Sequence, residues 1–300
     1  MRAVRYETYG GPEVLHLVDV DEPHAGPGKI RIAVHAAGVN GIDWKIRAGY
    51  MSGGSALDAP RGSGMDAAGI VDEVGDGVEG VAIGDAVFGS GIATLAEKAV
   101  LSAWAPKPDA LSFEEAAGFP IPVETARRIL DEVGVQSGQT LLVSGAAGGV
   151  GSAVVQIARS RGIDVIGTAS ERNADYLRSL GATPTTYGDG LVDRVRALAP
   201  NGVDAALDIA GSGVIDELID LTGEASKVLS IADFGAGEKG AQVSTASKDP
   251  ASAYVEAARL FEAGELRLPV AKTFSLEDAA AAQAAGADGH IAGRIVVTVA

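Results

Sequence analysis

The chain contains no cysteine. Disulfides, thiol nucleophiles and cysteine-ligated metals are therefore excluded. Cations are scarce: 24 Lys and Arg face 40 Asp and Glu, a formal charge of −16 over 300 residues. Nucleic acids and anionic membranes recruit proteins through Lys and Arg, so neither is an expected partner. No apolar run reaches the roughly 18 residues that span a bilayer. The opening Met1-Arg2-Ala3-Val4-Arg5 does not read as a signal peptide, and a soluble cytoplasmic protein is expected. The few histidines, at 16, 24, 35 and 290, have no metal-ligand spacing.

Glycine is plentiful. Its 41 residues are nearly twice the roughly 7% of average usage, which predicts many tight turns and close backbone approaches. Hydrophobic residues at 47% and charged residues at 21% mark a globular chain, long enough for one large domain or two smaller ones. The first third reads as short β-branched strands at Ala3–Tyr6, Val14–Val20, Lys29–Val34, Ile70–Val74 and Asp85–Phe88, the pattern of a small barrel or sandwich. Ser112 with Glu115 forms a capping box, and a longer helix opens at Val123 and ends near Gly134.

From about Thr140 strands and helices alternate, the signature of a parallel sheet with helical crossovers. Strands are expected at Thr140–Ser144, Asp164–Ala169, Val203–Ile209 and Lys227–Ala232. Helices are expected at Val150–Arg161, Asn173–Leu180, Leu191–Leu198 and from Asp249-Pro250 to Gly264. The tail reads as a strand at Leu268–Phe274, an Ala-rich helix begun at Ser275 and a last strand at Arg294–Val299.

The motif with most chemical content is Ser144-Gly145-Ala146-Ala147-Gly148-Gly149-Val150-Gly151, lying between a buried strand and an amphipathic helix. Ala146 stands where strict dinucleotide spacing has its first glycine, while Gly148 and Gly151 are retained. Bare backbone lets a pyrophosphate reach the N-terminus of the following helix, where free N–H groups and the dipole attract anions. The tip of the second strand chooses the cofactor. NAD sites keep a carboxylate there for the ribose hydroxyl, whereas this tip carries Ser170, Glu171 and Arg172. Ser170 can donate to a 2′-phosphate and Arg172 can neutralise it. Glu171, the rival ribose ligand, is expected to turn outward, so NADPH is the expected cofactor.

Several motifs in order resemble the zinc-independent quinone oxidoreductase (zeta-crystallin-like) branch of the medium-chain dehydrogenase/reductase superfamily. They are Gly11-Pro12-Glu13-Val14-Leu15, Ala36-Ala37-Gly38-Val39-Asn40, Asp43-Trp44-Lys45-Ile46-Arg47, Gly64-Met65-Asp66-Ala67-Ala68-Gly69, Val74-Gly75 with Gly84-Asp85, Thr125-Ala126, Gly145 to Gly151 and Gly293-Arg294-Ile295-Val296. The resemblance implies an α/β fold: a GroES-like β-barrel catalytic domain from residues 1–122 and 266–300, and a doubly wound Rossmann NADP-binding domain at 123–265. It places the active site in the cleft between them. Zinc relatives carry a Cys and a His where this chain has Asn40 and Met65, neither a good Zn²⁺ ligand.

A reductase without that Lewis acid suits an acceptor that takes hydride readily, a quinone or an activated alkene. Asn40, Lys45 and Tyr50 are the candidate catalytic residues. Asn40 can bind substrate or the nicotinamide ribose, Lys45 can bind ribose or stabilise an enolate, and Tyr50 can donate a proton. Each also has a plain alternative: a turn cap, a surface charge, a packing residue. Asp43 and Asp66 read as acceptors for backbone N–H groups. The resemblance further implies that Thr125, Asp208, Ile231 and Phe234 lie around the nicotinamide, with Tyr187 beside the adenosine phosphate. Arg127 stands where relatives are usually aromatic. A homodimer joined through the Rossmann sheet edge, near Lys227–Ala232, is expected. The alternatives are an enoyl or alkenal reductase tailoring a secondary metabolite, and a NADPH-binding protein with little turnover.

Overall fold

The computed structural model describes residues 1–245, 247–289 and 291–299. The chain divides into two compact units, the first formed by residues 1–121, 249–263 and 268–300 and the second by residues 122–248 and 264–267.

In the first unit the strands are β1 (Arg2–Tyr6), β2 (His16–Asp19), β3 (Ile30–Val39), β4 (Arg61–Gly62), β5 (Asp66–Val74), β6 (Ala86–Ile92) and β7 (Lys98–Pro106). Two short helices, α1 (Gly41–Arg47) and α2 (Phe113–Ala117), are interspersed. The neighbours β3, β5, β6 and β7 pair antiparallel, and β3 also pairs with β7, which closes these four strands into a barrel. Alternation drives this arrangement. Along β7, Ala99, Leu101, Ala103 and Ala105 are buried while the residues between them face out. Ile30, Ile32, Val34, Val71, Val87 and Leu101 fill the core of this unit. The Ser112–Glu115 capping box forms as expected: Glu115 N–H donates to Ser112 Oγ, and Ser112 N–H donates to the Glu115 carboxylate, each at 3.1 Å.

Helix α3 (Pro120–Val133) leads into the second unit, which continues with β8 (Thr140–Ser144), α4 (Gly149–Ser160), β9 (Asp164–Ala169), α5 (Ala174–Leu180), β10 (Thr183–Thr186), α6 (Leu191–Leu198), β11 (Ala205–Asp208), α7 (Ile215–Thr222), β12 (Val228–Ser230) and β13 (Gln242–Val243). All six strands are parallel, in the order β10-β9-β8-β11-β12-β13. The direction of winding reverses between β8 and β11. A crevice at the carboxyl ends of those two strands is where open α/β sheets bind ligands. Leu142, Ala206, Leu207 and Val228 are fully shielded in the sheet, with helices supplying Ile215 and Leu218.

The chain returns to the first unit through α8 (Pro250–Glu262), then β14 (Val270–Ser275), α9 (Ala279–Ala287) and β15 (Arg294–Thr298). The expected boundary kept residues up to 265 with the Rossmann domain, but α8 packs with the barrel. Its Tyr254 ring meets Phe88 at a tilt and its Phe261 ring meets Phe119 edge-on, and Tyr254 Oη donates to Ser90 Oγ at 2.8 Å. Burying two aromatic rings outweighs proximity along the chain.

Candidate cofactor and active site

The glycine-rich turn is built as its residue types require. Gly145 takes a left-handed φ of 83°, which an L side chain would strain. Its N–H donates to Thr168 Oγ1 at 3.2 Å and Ala146 N–H to Thr168 O at 3.1 Å, stapling the turn to the end of β9. At Gly151 a Cβ would lie 2.3 Å from Gly145 O, so only glycine lets α4 approach the turn. The alanine in place of the first glycine is compensated across the sheet. Ala146 is fully buried, and a Cβ on Gly167 would sit 2.7 Å from its methyl group. The space the Ala146 methyl fills is left open by Gly167 on the adjacent strand β9.

Gly148 is the extended N-cap of α4, and no side chain caps that helix end. The first-turn N–H groups of Gly149, Val150 and Gly151 have no carbonyl partner within the helix and converge with its positive dipole end. Ser144 and Ala147 close the cradle as buried residues. A Cβ at Gly148 would meet nothing nearer than Gly145 O at 3.6 Å, so this glycine is not demanded by packing and keeps the surface bare instead. These features fit the pyrophosphate of a dinucleotide.

At the tips of β9 and β10 lies a pocket of about 180 Å³, lined by Ala169, Ser170, Glu171, Ala174, Arg178, Pro184, Thr185 and Thr186. Ser170 is the N-cap of the turn Glu171–Asn173 and its side chain makes no cap bond there. Glu171, expected to turn outward, is part of the lining. Arg172 is not in it, and Arg178 takes a place that sequence reasoning did not assign. Tyr187 follows β10 and is exposed.

At the other side of the switch point, Asp208 is buried. Its carboxylate accepts from Gly211 N–H at 3.0 Å and from Ser230 Oγ at 2.9 Å. Ser230 Oγ in turn accepts from the N–H groups of Ala232 and Asp233. Asp208 thus ties together the turns after β11 and β12. Of the residues expected near the nicotinamide, Thr125 is buried, Ile231 half-buried and Phe234 exposed.

In the first unit, Asn40 follows β3 as the N-cap of α1 and is buried with Asp43, Asp66 and Arg294. Asn40 Nδ2 donates to Asp66 at 2.8 Å, and Arg294 Nη2 donates to Asn40 Oδ1 at 2.7 Å. Asp66 also accepts from Ile121 N–H at 3.0 Å, and Asp43 accepts from Asn40 N–H at 2.7 Å, the backbone-acceptor roles expected of both carboxyls. Burial pushes Asp43 up to about 7, against the pull of the Asn40 N–H and Arg294. Burial likewise pushes Asp66 up to about 7, opposed first by Arg294 and then by Asn40. Arg294 is lowered by the same burial. One guanidinium facing two carboxyls away from water cannot keep both fully charged.

Lys45 and Tyr50 stand apart from that cluster and share Trp44. Lys45 Nζ lies 5.8 Å from the indole centroid, and the Tyr50 ring meets Trp44 edge-on at 5.6 Å. Tyr50 is 71% exposed. Sequence reasoning named Trp44 only as part of a motif, and its place one residue before Lys45 and six before Tyr50 was the available signal. Among the described residues, no group of three His, Cys, Asp or Glu side chains is placed to hold a metal ion. His290 lies outside the described residues.

A GroES-like barrel and a six-stranded Rossmann sheet carried by one chain define a medium-chain dehydrogenase/reductase. Residues 26–104 match the alcohol dehydrogenase GroES-like domain, and residues 149–254 match the zinc-binding dehydrogenase domain. The quinone oxidoreductase of Rattus norvegicus is 37% identical over 220 residues, 70% of this chain and 66% of the rat protein. The quinone oxidoreductase of Coxiella burnetii superposes with a TM-score of 0.87 at 30% identity, covering 100% of this chain and 99% of that one. Mycobacterial Rv1454c, solved in complex with NADPH, superposes with a TM-score of 0.85 at 27% identity over 99% and 100% of the two chains. Within the superfamily, the chain belongs to the zinc-independent quinone oxidoreductase family.

Proposed function

We propose that this protein is a NADPH-dependent oxidoreductase that transfers hydride to quinones or activated alkenes without a metal ion. The observation that carries the reading is the Asn40–Asp66–Arg294 cluster. Where zinc relatives place a Cys, this chain has an amide held between a carboxyl and a guanidinium, and Met65 stands in place of the His. The acceptor must therefore take hydride without a Lewis acid, as quinones and enones do.

Bound NADPH supplies the hydride. The turn from Ser144 to Gly151 holds its pyrophosphate. Ser170 offers its hydroxyl to the 2′-phosphate at the tip of β9, and Tyr187 follows the neighbouring strand β10. Thr125, Asp208, Ile231 and Phe234 shape the nicotinamide end, Asp208 through the two backbone turns it fixes. In the first unit, Lys45 brings a cation to the acceptor oxygen on which negative charge develops, and Trp44 offers a flat wall. Asn40 presents the one amide hydrogen not donated to Asp66. Tyr50 returns a proton to the reduced acceptor, a task water also performs for a hydroquinone anion.

The same reading includes a homodimer. Strand β13 is one edge of the second unit's sheet, the one next to β12, and pairing it with its copy would extend the sheet across the dimer. It also includes a cytoplasmic setting, where a reductase finds reduced dinucleotide. Among the described residues no helix is long and apolar enough to cross a membrane.

The test is NADPH consumption with 9,10-phenanthrenequinone, 1,4-benzoquinone and a panel of small enones, with and without chelator. Turnover on quinones, unaffected by chelation, is expected. Preference for enones would favour the specialised alkenal reductase. Tight NADPH binding with no turnover on any acceptor would leave a binding protein, and stoichiometric zinc by elemental analysis, with activity lost to the chelator, would overturn the metal-free reading. Light scattering at one chain mass would remove the dimer.

A further inference from the structure

We propose that Arg178, on the helix after the second Rossmann strand, is the specificity-determining cation for the 2′-phosphate, an assignment that rests on the NADPH reading. The phosphate of a bound dinucleotide would lie beyond the tip of β9, where NAD enzymes hold the ribose. The pocket at that tip has one cationic side chain in its lining, Arg178, and one anionic, Glu171. A dianionic phosphate entering a pocket that held Glu171 alone would be repelled. With Arg178 the lining is neutral, and Ser170, Thr185 and Thr186 add hydroxyl donors.

The helix geometry explains how Arg178 arrives there. Ala174 and Arg178 are four residues apart and share one face of α5. Both side chains line the pocket. Leu177 and Leu180 are buried on the flank of that face, so the orientation of α5 is set by the core. Tyr176 Oη donates to Ser152 Oγ at 3.0 Å, which couples α5 to α4 and so holds the pocket in register with the pyrophosphate cradle. Arg178 Nη1 pairs with Asp175 at 2.6 Å, with side chains 60% and 97% exposed. A pair so exposed is weak and screened. A phosphate oxygen replaces the Asp175 carboxylate at little cost, and with a bidentate option.

The experiment is calorimetric titration of the full chain with 2′,5′-ADP and with 5′-AMP, which isolates the 2′-phosphate from catalysis. Unmodified protein is expected to prefer 2′,5′-ADP. Arg178→Ala should weaken 2′,5′-ADP about ten- to a hundredfold and leave 5′-AMP within about twofold. Arg178→Lys should recover part of the loss, and Arg172→Ala should lose less than Arg178→Ala. If unmodified protein does not distinguish the two nucleotides, the NADPH reading falls and this assignment with it. If it does distinguish them and Arg178→Ala keeps the full preference, the assignment alone is wrong.

Discussion

Replacing Asp66 with Asn should change how the stability of this protein depends on pH. Asp66 is fully buried, and burial raises its carboxyl from 3.8 to about 7. Between those values the unfolded chain has released the proton while the native state retains it. The native state binds more protons there, so unfolding free energy falls as pH rises from about 4 to about 7 and then levels. Across that window a group protonated only in the native state removes about 1.4 kcal/mol of stability for each pH unit. Counting only partial titration at the upper end, the loss between pH 5 and pH 7.5 is on the order of 2 kcal/mol. Asp43, raised by the same burial, titrates as a coupled partner. Asn at position 66 cannot ionise, and its amide keeps one acceptor oxygen where the carboxyl has two, a cost that does not vary with pH. The stability of Asp66→Asn relative to the parent should therefore rise by on the order of 2 kcal/mol between pH 5 and pH 7.5. Urea unfolding followed by circular dichroism at pH 5, 6, 7 and 7.5 measures the difference directly. Surface carboxylates held low by cations, such as Glu97 beside Arg2, contribute a trend of opposite sign, but it is common to both proteins and cancels. A difference that stays constant across this range would refute the reasoning, because Arg294 would then be holding Asp66 ionised throughout.

Three further outcomes are expected. Gly151→Ala should destabilise the fold by about 2 kcal/mol or more, because its methyl group would press on the Gly145 carbonyl, whereas Gly148→Ala should leave the thermal midpoint nearly unchanged and weaken NADPH binding. Gly167→Ala should be destabilising alone and substantially rescued by Ala146→Gly, a double-mutant coupling of about 1 kcal/mol or more in urea unfolding. Tyr50→Phe should lower quinone turnover less than about tenfold, since water can protonate the product; a loss above about a thousandfold with NADPH affinity intact would make Tyr50 an essential proton donor.

Local chemistry determined a large part of this protein on its own. The glycine turn, the Ser112–Glu115 box, the left-handed Gly181 that ends α5 and the alternating strands and helices after Thr140 each act within a few residues, so each was legible in sequence. Sequence reasoning still passed over β7, β10, β13, α1 and α7. The β7 pattern rests largely on alanines, whose small side chains give a faint alternation, while β13 has two residues and exists by pairing with β12. Only tertiary structure decided the rest. Asn40 meets Asp66 and Arg294 across 26 and 254 residues, and their burial together, which no local pattern encodes, raises the carboxyls and commits the amide. Gly167 makes room for Ala146 because β8 and β9 are adjacent, a fact absent from either segment alone. Helix α8 joined the barrel through its aromatic face, and α5 turned Arg178 rather than Arg172 toward the pocket because Leu177 and Leu180 had to be buried. Propensity and capping operate over one turn of chain, whereas burial and electrostatics depend on which distant segments are brought to the same place.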